Sequence, residues 1–192
     1  EGDALVGHNT DGRGLTDALA AAGVSVRGAH VVVVGAGAVG GYAGAHMVQA
    51  GEDVTFIDPW PEHVEHMRKH GLRVTHAKDV AEFSVPVRAL HVTDVQQLAK
   101  EKPADIAFVC MKSYDTAWAT MLIRQYLAPN GYVVSLQNCM NEEVVASVVG
   151  WGKTIAGMAK VKVRSLARVR FKFTFAMAAY NLIRMPRLLA AA

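Results

Sequence analysis

Residues 31–51, VVVVGAGAVGGYAGAHMVQAG, decide the fold. Four valines run into a cluster of glycines, after which the apolar positions follow a helical pattern. A short apolar run that ends in glycines is typical of a strand buried on both faces of a parallel sheet. Glycines and the polar His46 interrupt the stretch too often for a membrane-spanning helix. We therefore predict a strand over 30–35 and a helix over 38–50.

The glycines form the motif GxGxxG, with Gly35, Ala36, Gly37, Ala38, Val39 and Gly40 at its six positions. Between a strand and a helix, this motif indicates binding of a dinucleotide pyrophosphate. Gly35 would allow the tight turn, Gly37 would leave room for the pyrophosphate, and Gly40 would let the helix pack on the strand. The alternative, a glycine turn without a ligand, explains the flanking strands less well.

A second predicted strand, over 53–58, ends in Asp58 at close to the expected interval after Gly40. An acid at this place accepts hydrogen bonds from the ribose hydroxyls and repels a 2′-phosphate. Asp58 therefore favours NAD over NADP as the cofactor. Its alternative is an ordinary turn aspartate.

Strands and helices alternate through the rest of the central region. Further strands are predicted near 72–76, 84–92, 105–111 and 131–137, and further helices over 11–23, 61–70, 94–101, 114–127 and 141–149. This alternation predicts an α/β fold with a doubly wound, mainly parallel Rossmann-type sheet. A C-terminal helical appendage is expected after it.

Composition limits the classes of partner. The 192 residues carry a net charge of +3, too small to indicate nucleic-acid binding. The two cysteines, Cys110 and Cys139, form no CxxC pair, and the N-terminus lacks the pattern of a signal peptide. These features predict a reduced, cytoplasmic protein without a zinc site.

The end of the chain differs in charge from the rest, because the stretch from Lys153 to Arg187 contains basic residues and no acidic ones. Its apolar stretch, Phe171 to Ile183, is shorter than the roughly 20 residues of a spanning helix. Spacing from Phe175 to Met185 favours an amphipathic docking helix over a nucleic-acid surface. We therefore predict neither a membrane nor a nucleic-acid partner.

Three blocks, GAGAVGGYAGAHMVQAGEDVTFIDPWPEHVEHMRKHGLRV, CMKSYDT and SLQNCMNEE, resemble the N-terminal domain of the ketopantoate reductase family over about residues 30–155. The resemblance implies reduction of a 2-keto acid to a 2-hydroxy acid in pantothenate biosynthesis, usually with NADPH. It places Lys112 near the nicotinamide and Asn138 at the junction of cofactor and substrate. The chain departs from the family at Cys139, which is usually glycine, and at Asp58, where an NADPH-binding enzyme has a basic residue.

The flanking regions resemble other proteins. Residues 1–29 resemble shikimate dehydrogenase around NTDG, and residues 156–192 resemble the tail of a DDE-type insertion-sequence transposase. We therefore expect a helical lead-in over 1–29, a dinucleotide-binding domain over 30–155 and a basic, partly helical tail over 156–192. On this division the family's C-terminal catalytic domain is missing. A truncated oxidoreductase, a nucleotide-binding module without turnover and a shikimate dehydrogenase-like enzyme all stay open.

Reduction of a keto acid needs a proton donor for the forming alkoxide and a donor group for the carboxylate. Lys112 is the candidate acid, and a solvated lysine is its alternative. Asn138 is the candidate substrate or ribose ligand, and its alternative is a cap for the helix near Asn141. Asp11 is better explained as a helix-start residue than as a catalytic group.

The remaining candidates are weaker. His63, His66 and His70 could share a helix face with Glu62, but a solvated face is the better explanation, and we predict no metal. Cys110 is expected to pack within a strand. An apolar face left by the missing domain would favour self-association.

Overall fold

The computed structural model describes residues 25–75, 82–137 and 141–156. Its strands are β1 (His30–Val34), β2 (Asp53–Asp58), β3 (Leu72–Val74), β4 (Phe83–Val85), β5 (Arg88–His91), β6 (Ala104–Val109), β7 (Leu127–Ser135) and β8 (Thr154–Ala156). Its α-helices are α1 (Ala38–Gln49), α2 (Pro61–His70), α3 (Thr116–Arg124) and α4 (Glu142–Val149). In the same part of the chain, 3₁₀ helices cover Val92–Lys100, Ser113–Asp115 and Trp151–Lys153.

Six of these strands form one sheet in the order β5-β2-β1-β6-β7-β8, and every neighbouring pair is parallel. This is the strand order of a Rossmann fold, and it confirms the predicted doubly wound α/β class. Strand order reverses between β1 and β6, which defines the switch point at the carboxyl edge of the sheet. Strand β8 was not predicted, since its three residues are too short to show a pattern.

Several element boundaries differ from those predicted. The run over 84–92 is two strands, because β4 pairs antiparallel with β3 in a separate small sheet while β5 joins the main sheet. Residues 94–101, predicted as an ordinary helix, belong to the 3₁₀ helix Val92–Lys100. The helix predicted to reach residue 127 ends at Arg124. Strand β7 then begins at Leu127, ahead of Pro129, and its pairing with β6 shifts register between Ala104 and Ile106.

Strand β1 is buried on both faces, as the valine run predicted. Val31 and Val33 pack in a cluster with Ala45 of α1. Val32 and Val34 pack in the opposite cluster, which includes Ile123 of α3. The central strand therefore joins both layers of helices into one core.

Helix α1 lies against the sheet through glycines. A Cβ placed on Gly44 would overlap the ring of Phe56, and one on Gly40 would overlap the carbonyl oxygen of Gly35. At Gly40 it would also lie 2.8 Å from the Cβ of Cys110. The predicted packing role of Gly40 is thus confirmed by the backbone geometry.

Other predictions fall outside the described residues. These are the helix over 11–23 and the basic tail from residue 157 onward with its appendage, so the predicted three-part division stays a prediction. Within the described ranges, no helix has the length and apolar character required to cross a membrane.

Gly44→Ala should destabilise the chain by about 1–3 kcal/mol, because the added methyl group forces the buried Phe56 ring to move. Urea unfolding measures the effect. Phe56→Leu removes ring atoms and should cost stability by itself. The double variant should lose less free energy of unfolding than the sum of the losses in the two single variants. Additive losses would contradict this account of the contact.

Candidate functional site

The loop between β1 and α1 requires glycine at its first position. Gly35 has φ +98°, a left-handed conformation that L side chains rarely adopt. A Cβ there would lie 2.7 Å from the Sδ atom of Met111. The Gly35 N–H donates to the carbonyl of Ile57 at 2.8 Å, which ties the turn to β2. The predicted tight turn at Gly35 is present.

The first backbone donors of helix α1 have no hydrogen-bond partner among the described residues. Its first intrahelical bond runs from the Gly41 N–H to the Gly37 carbonyl at 2.7 Å, so the N–H groups of residues 37–40 precede the hydrogen-bond ladder. No side chain caps this end, and the first turn holds no acidic residue. A Cβ on Gly37 would meet no atom within 4 Å. This open, uncapped helix start has the donors and the dipole direction that an anionic pyrophosphate requires.

Asp58 lies at the carboxyl end of β2 and is only 7% exposed. Its Oδ2 atom accepts a hydrogen bond from the Ala36 N–H at 2.9 Å, and its Oδ1 atom accepts one from the Trp60 N–H at 3.0 Å. The carboxylate therefore joins the glycine loop to the turn after β2. A carboxylate has about four acceptor positions, so two remain for another ligand.

A histidine lies beside this carboxylate. The Nδ1 atom of His63 is 3.6 Å from the Oδ2 atom of Asp58. The His63 ring also contacts that of Trp60, with centroids 5.8 Å apart. Trp60 is 62% exposed, so this end of the site presents an aromatic surface next to the buried acid.

Lys112 lies across the switch point from Asp58. The Cys110 N–H donates to the Val34 carbonyl at 2.8 Å, so the end of β6 runs alongside the glycine loop. Lys112 follows as the exposed N-cap residue of the 3₁₀ helix Ser113–Asp115. Its backbone is therefore placed next to the same crevice as the start of α1.

Sequence reasoning missed Gln137, which is 3% exposed and follows β7. Its Nε2 atom donates to the Met111 carbonyl at 2.8 Å and lies 3.2 Å from the Lys112 carbonyl. The same nitrogen is 2.9 Å from the hydroxyl of Thr116. The only signal in the sequence is an amide next to the candidate Asn138 in SLQN.

Asn138 lies outside the described residues. The residue at the N-cap position of α4 is Asn141, and both predictions made for Asn138 stay predictions. The Nδ2 atom of Asn141 donates to the Ser113 hydroxyl at 3.2 Å. The loop after β7 is therefore linked to the loop after β6 on both sides of Asn138.

This geometry can be compared with known proteins. The family model described as ketopantoate reductase PanE/ApbA matches residues 31–185. The chain belongs to this family. The family match begins at the valine run and extends to residue 185, beyond the 30–155 over which the three sequence blocks resemble the family.

Curated relatives carry the corresponding name. The chain is 33% identical over 128 residues to the 2-dehydropantoate 2-reductase of Pyrococcus abyssi, covering 67% of this chain and 39% of that protein. It is 32% identical over 138 residues to the 2-dehydropantoate 2-reductase of Halobacterium salinarum, covering 69% and 43%. The chain thus spans about two fifths of the length of these relatives.

A solved structure of the same name has the same fold. The 2-dehydropantoate 2-reductase of Geobacter metallireducens GS-15 superimposes with a TM-score of 0.56 at 29% identity, over 66% of this chain and 40% of that one. The ketopantoate reductase fold is therefore present in the described part of this chain.

The three histidines of α2 do not lie together as metal ligands in the described part of the chain. The rings of His66 and His70 are 4.8 Å apart, whereas His63 faces Asp58. Over 25–75, 82–137 and 141–156, no three His, Cys, Asp or Glu side chains are grouped so that they could hold a metal ion.

Asp58→Ala should destabilise this family member by about 1–3 kcal/mol, because the N–H groups of Ala36 and Trp60 would lose their acceptor. Asp58→Asn keeps one acceptor oxygen and should lose less stability than Asp58→Ala. Denaturant unfolding at neutral pH tests this order. Equal stability of all three proteins would show that the carboxylate does not support the loop.

Burial raises the pKa of the Cys110 thiol to about 12, so the reactive thiolate is scarce at pH 8. In a Cys139→Ser background, we expect Cys110 to react with a thiol reagent at least tenfold more slowly in the folded chain than in denaturant. Absorbance of the released thiolate measures both rates. Rapid labelling of the folded chain would show that Cys110 does not pack as the structure places it.

Proposed function

We propose that this chain binds NAD(H) at the glycine loop and that the whole protein reduces a 2-keto acid to a 2-hydroxy acid. The observation that carries the proposal is the uncapped start of α1, open at Gly37, beside the switch point between β1 and β6. In open α/β sheets, ligands bind at this crevice. Family membership supports a nicotinamide dinucleotide as the ligand.

The residues present fit such a cofactor. Backbone N–H groups of residues 37–40 would bind the pyrophosphate, and Gly35, Ala36, Gly37, Ala38, Val39 and Gly40 together form the loop around it. Asp58 would bind the adenosine ribose through its two remaining acceptor positions. A carboxylate there disfavours a 2′-phosphate, which supports NAD(H), whereas the usual cofactor of the family supports NADP(H).

The bound nicotinamide would supply the hydride. Lys112 would protonate the alkoxide oxygen that forms on the substrate, since an ammonium group is both a donor and a counter-charge. Asn138 would donate a hydrogen bond to the substrate or to the second ribose. Both side chains follow neighbouring strands, β6 and β7, whose carboxyl ends lie at one edge of the sheet.

The names of the relatives make 2-dehydropantoate the first substrate to test, and pantothenate biosynthesis the proposed setting. A cytoplasmic location, self-association and the absence of nucleic-acid or membrane partners remain predictions from the sequence. Binding without turnover is the competing function.

Titration of the purified chain with NADH and NADPH, followed by cofactor fluorescence, tests the cofactor proposal first. We expect tighter binding of NADH. Gly37→Val should weaken binding at least tenfold, because its side chain occupies the open space at the helix start, and should lower stability by no more than about 1 kcal/mol, since valine is a poorer N-cap residue than glycine. Ala50→Val, an exposed change at the far end of the same helix, is the matched control.

Three results would contradict the cofactor proposal or narrow it. Binding of neither cofactor would overturn the proposal. Tighter binding of NADPH than of NADH would overturn the role of Asp58. An equal loss of cofactor affinity in Gly37→Val and Ala50→Val would show that Gly37 is not part of the site. With 2-dehydropantoate added, NADH consumption that Lys112→Met abolishes would support the reductase. Cofactor binding without consumption would leave the binding module as the function of this chain.

A further inference from the structure

We propose that Gln137 is a positioning residue for the nicotinamide half of the site, holding the backbone of Lys112 beside the cofactor. The inference rests on the proposed function, because it assumes a dinucleotide across the switch point. It adds a residue for which neither the motif nor the family resemblance provided a role.

The contacts of Gln137 connect two strand ends. Its amide nitrogen reaches the carbonyls of Met111 and Lys112 after β6, while its own backbone follows β7. Ser135 and Thr116 hydroxyls lie 3.3 and 3.1 Å from its amide oxygen. One buried side chain therefore fixes the distance between the loop that carries Lys112 and the strand that leads to Asn138.

The surroundings also determine which way the amide faces. The Thr116 hydroxyl donates to the Ser113 carbonyl at 2.8 Å, so it accepts from the amide nitrogen of Gln137. A reversed amide would place its oxygen against the carbonyls of Met111 and Lys112, with no donor between them. An amide places two N–H donors toward the carbonyls of Met111 and Lys112 and the Thr116 hydroxyl, which share them, and an acceptor oxygen toward the Ser135 hydroxyl.

The location of these contacts predicts that loss of the Gln137 amide affects only the nicotinamide half of the site. A Rossmann fold holds one nucleotide on each side of the switch point, and Asp58 after β2 marks the adenosine side. Gln137, Thr116 and Lys112 lie on the β6–β7 side. Loss of the amide should therefore weaken contacts to the second nucleotide and leave those to the adenosine and the pyrophosphate in place.

The experiment compares NADH with ADP, which lacks the second ribose and the nicotinamide. Gln137→Met keeps the length of the side chain and removes its hydrogen bonds. We expect the dissociation constant for ADP to stay within twofold and that for NADH to rise at least fivefold. The fluorescence gain of bound NADH should fall as well. Calorimetry and cofactor fluorescence on the full chain measure these quantities.

Two further variants test the same network. Thr116→Val removes a partner of Gln137 and should weaken NADH binding in the same selective way. Thr120→Val is the matched control, because Thr120 is equally buried in α3 and its hydroxyl bonds only the Thr116 carbonyl among the described residues. Gln137→Glu should bind NADH poorly at neutral pH and better as the pH falls, since protonation of the new carboxylate restores one donor.

The outcomes separate the inference from the proposed function. If the unmodified chain binds neither ADP nor NADH, the proposed function fails and the inference fails with it. If the unmodified chain binds ADP and NADH with equal affinity, the cofactor site stands and the positioning role is overturned. The same conclusion follows if Gln137→Met and Thr116→Val weaken the binding of ADP and NADH equally, or weaken neither. A selective loss of NADH affinity that Thr120→Val does not reproduce supports the role.

Discussion

Helix α1 approaches the sheet so closely that two positions on its inner face accept only glycine. Gly40 lies against the Gly35 carbonyl and the side chain of Cys110, and Gly44 lies against the ring of Phe56. Because neither contact leaves room for a side chain, the start of the helix is held above the carboxyl end of β1. The N–H groups of residues 37–40, which precede the hydrogen-bond ladder of the helix, are therefore held in place by packing of the chain itself.

Asp58 adds a second constraint to the same loop. A carboxylate proposed as the ligand of a ribose already accepts N–H groups from Ala36 and Trp60. These two roles are compatible, because backbone donors hold the side chain in one orientation while its other acceptor positions stay available. On the proposed function, a substitution at Asp58 would change both cofactor selectivity and the glycine loop. Stability and binding therefore have to be measured together there.

The part of the site that was predictable from sequence is the part formed by short-range constraints. The turn at Gly35, the helix start at Gly37 and the close packing at Gly40 depend on residues within one motif, so their spacing is visible in the chain. Contacts of Gln137 were not predictable, because they join residues 25 and 26 positions apart across two strands. Strand β8 was missed for a related reason, and the helix predicted over 94–101 was found as the 3₁₀ helix Val92–Lys100, since neighbours in the fold rather than local pattern decide such details.

The two halves of the crevice are therefore built by different means. At the glycine loop, close backbone packing fixes the geometry, and almost any side chain added at Gly35 or Gly40 is excluded. On the β6–β7 side, the amide of Gln137 and the hydroxyls of Thr116 and Ser135 hold the loop through side-chain hydrogen bonds. On the proposed function, a change in these hydrogen bonds would move the backbone of Lys112 and leave the glycine loop in place. Substitutions at Gln137 or Thr116 therefore alter the proposed reacting half separately from the backbone packing at Gly35 and Gly40.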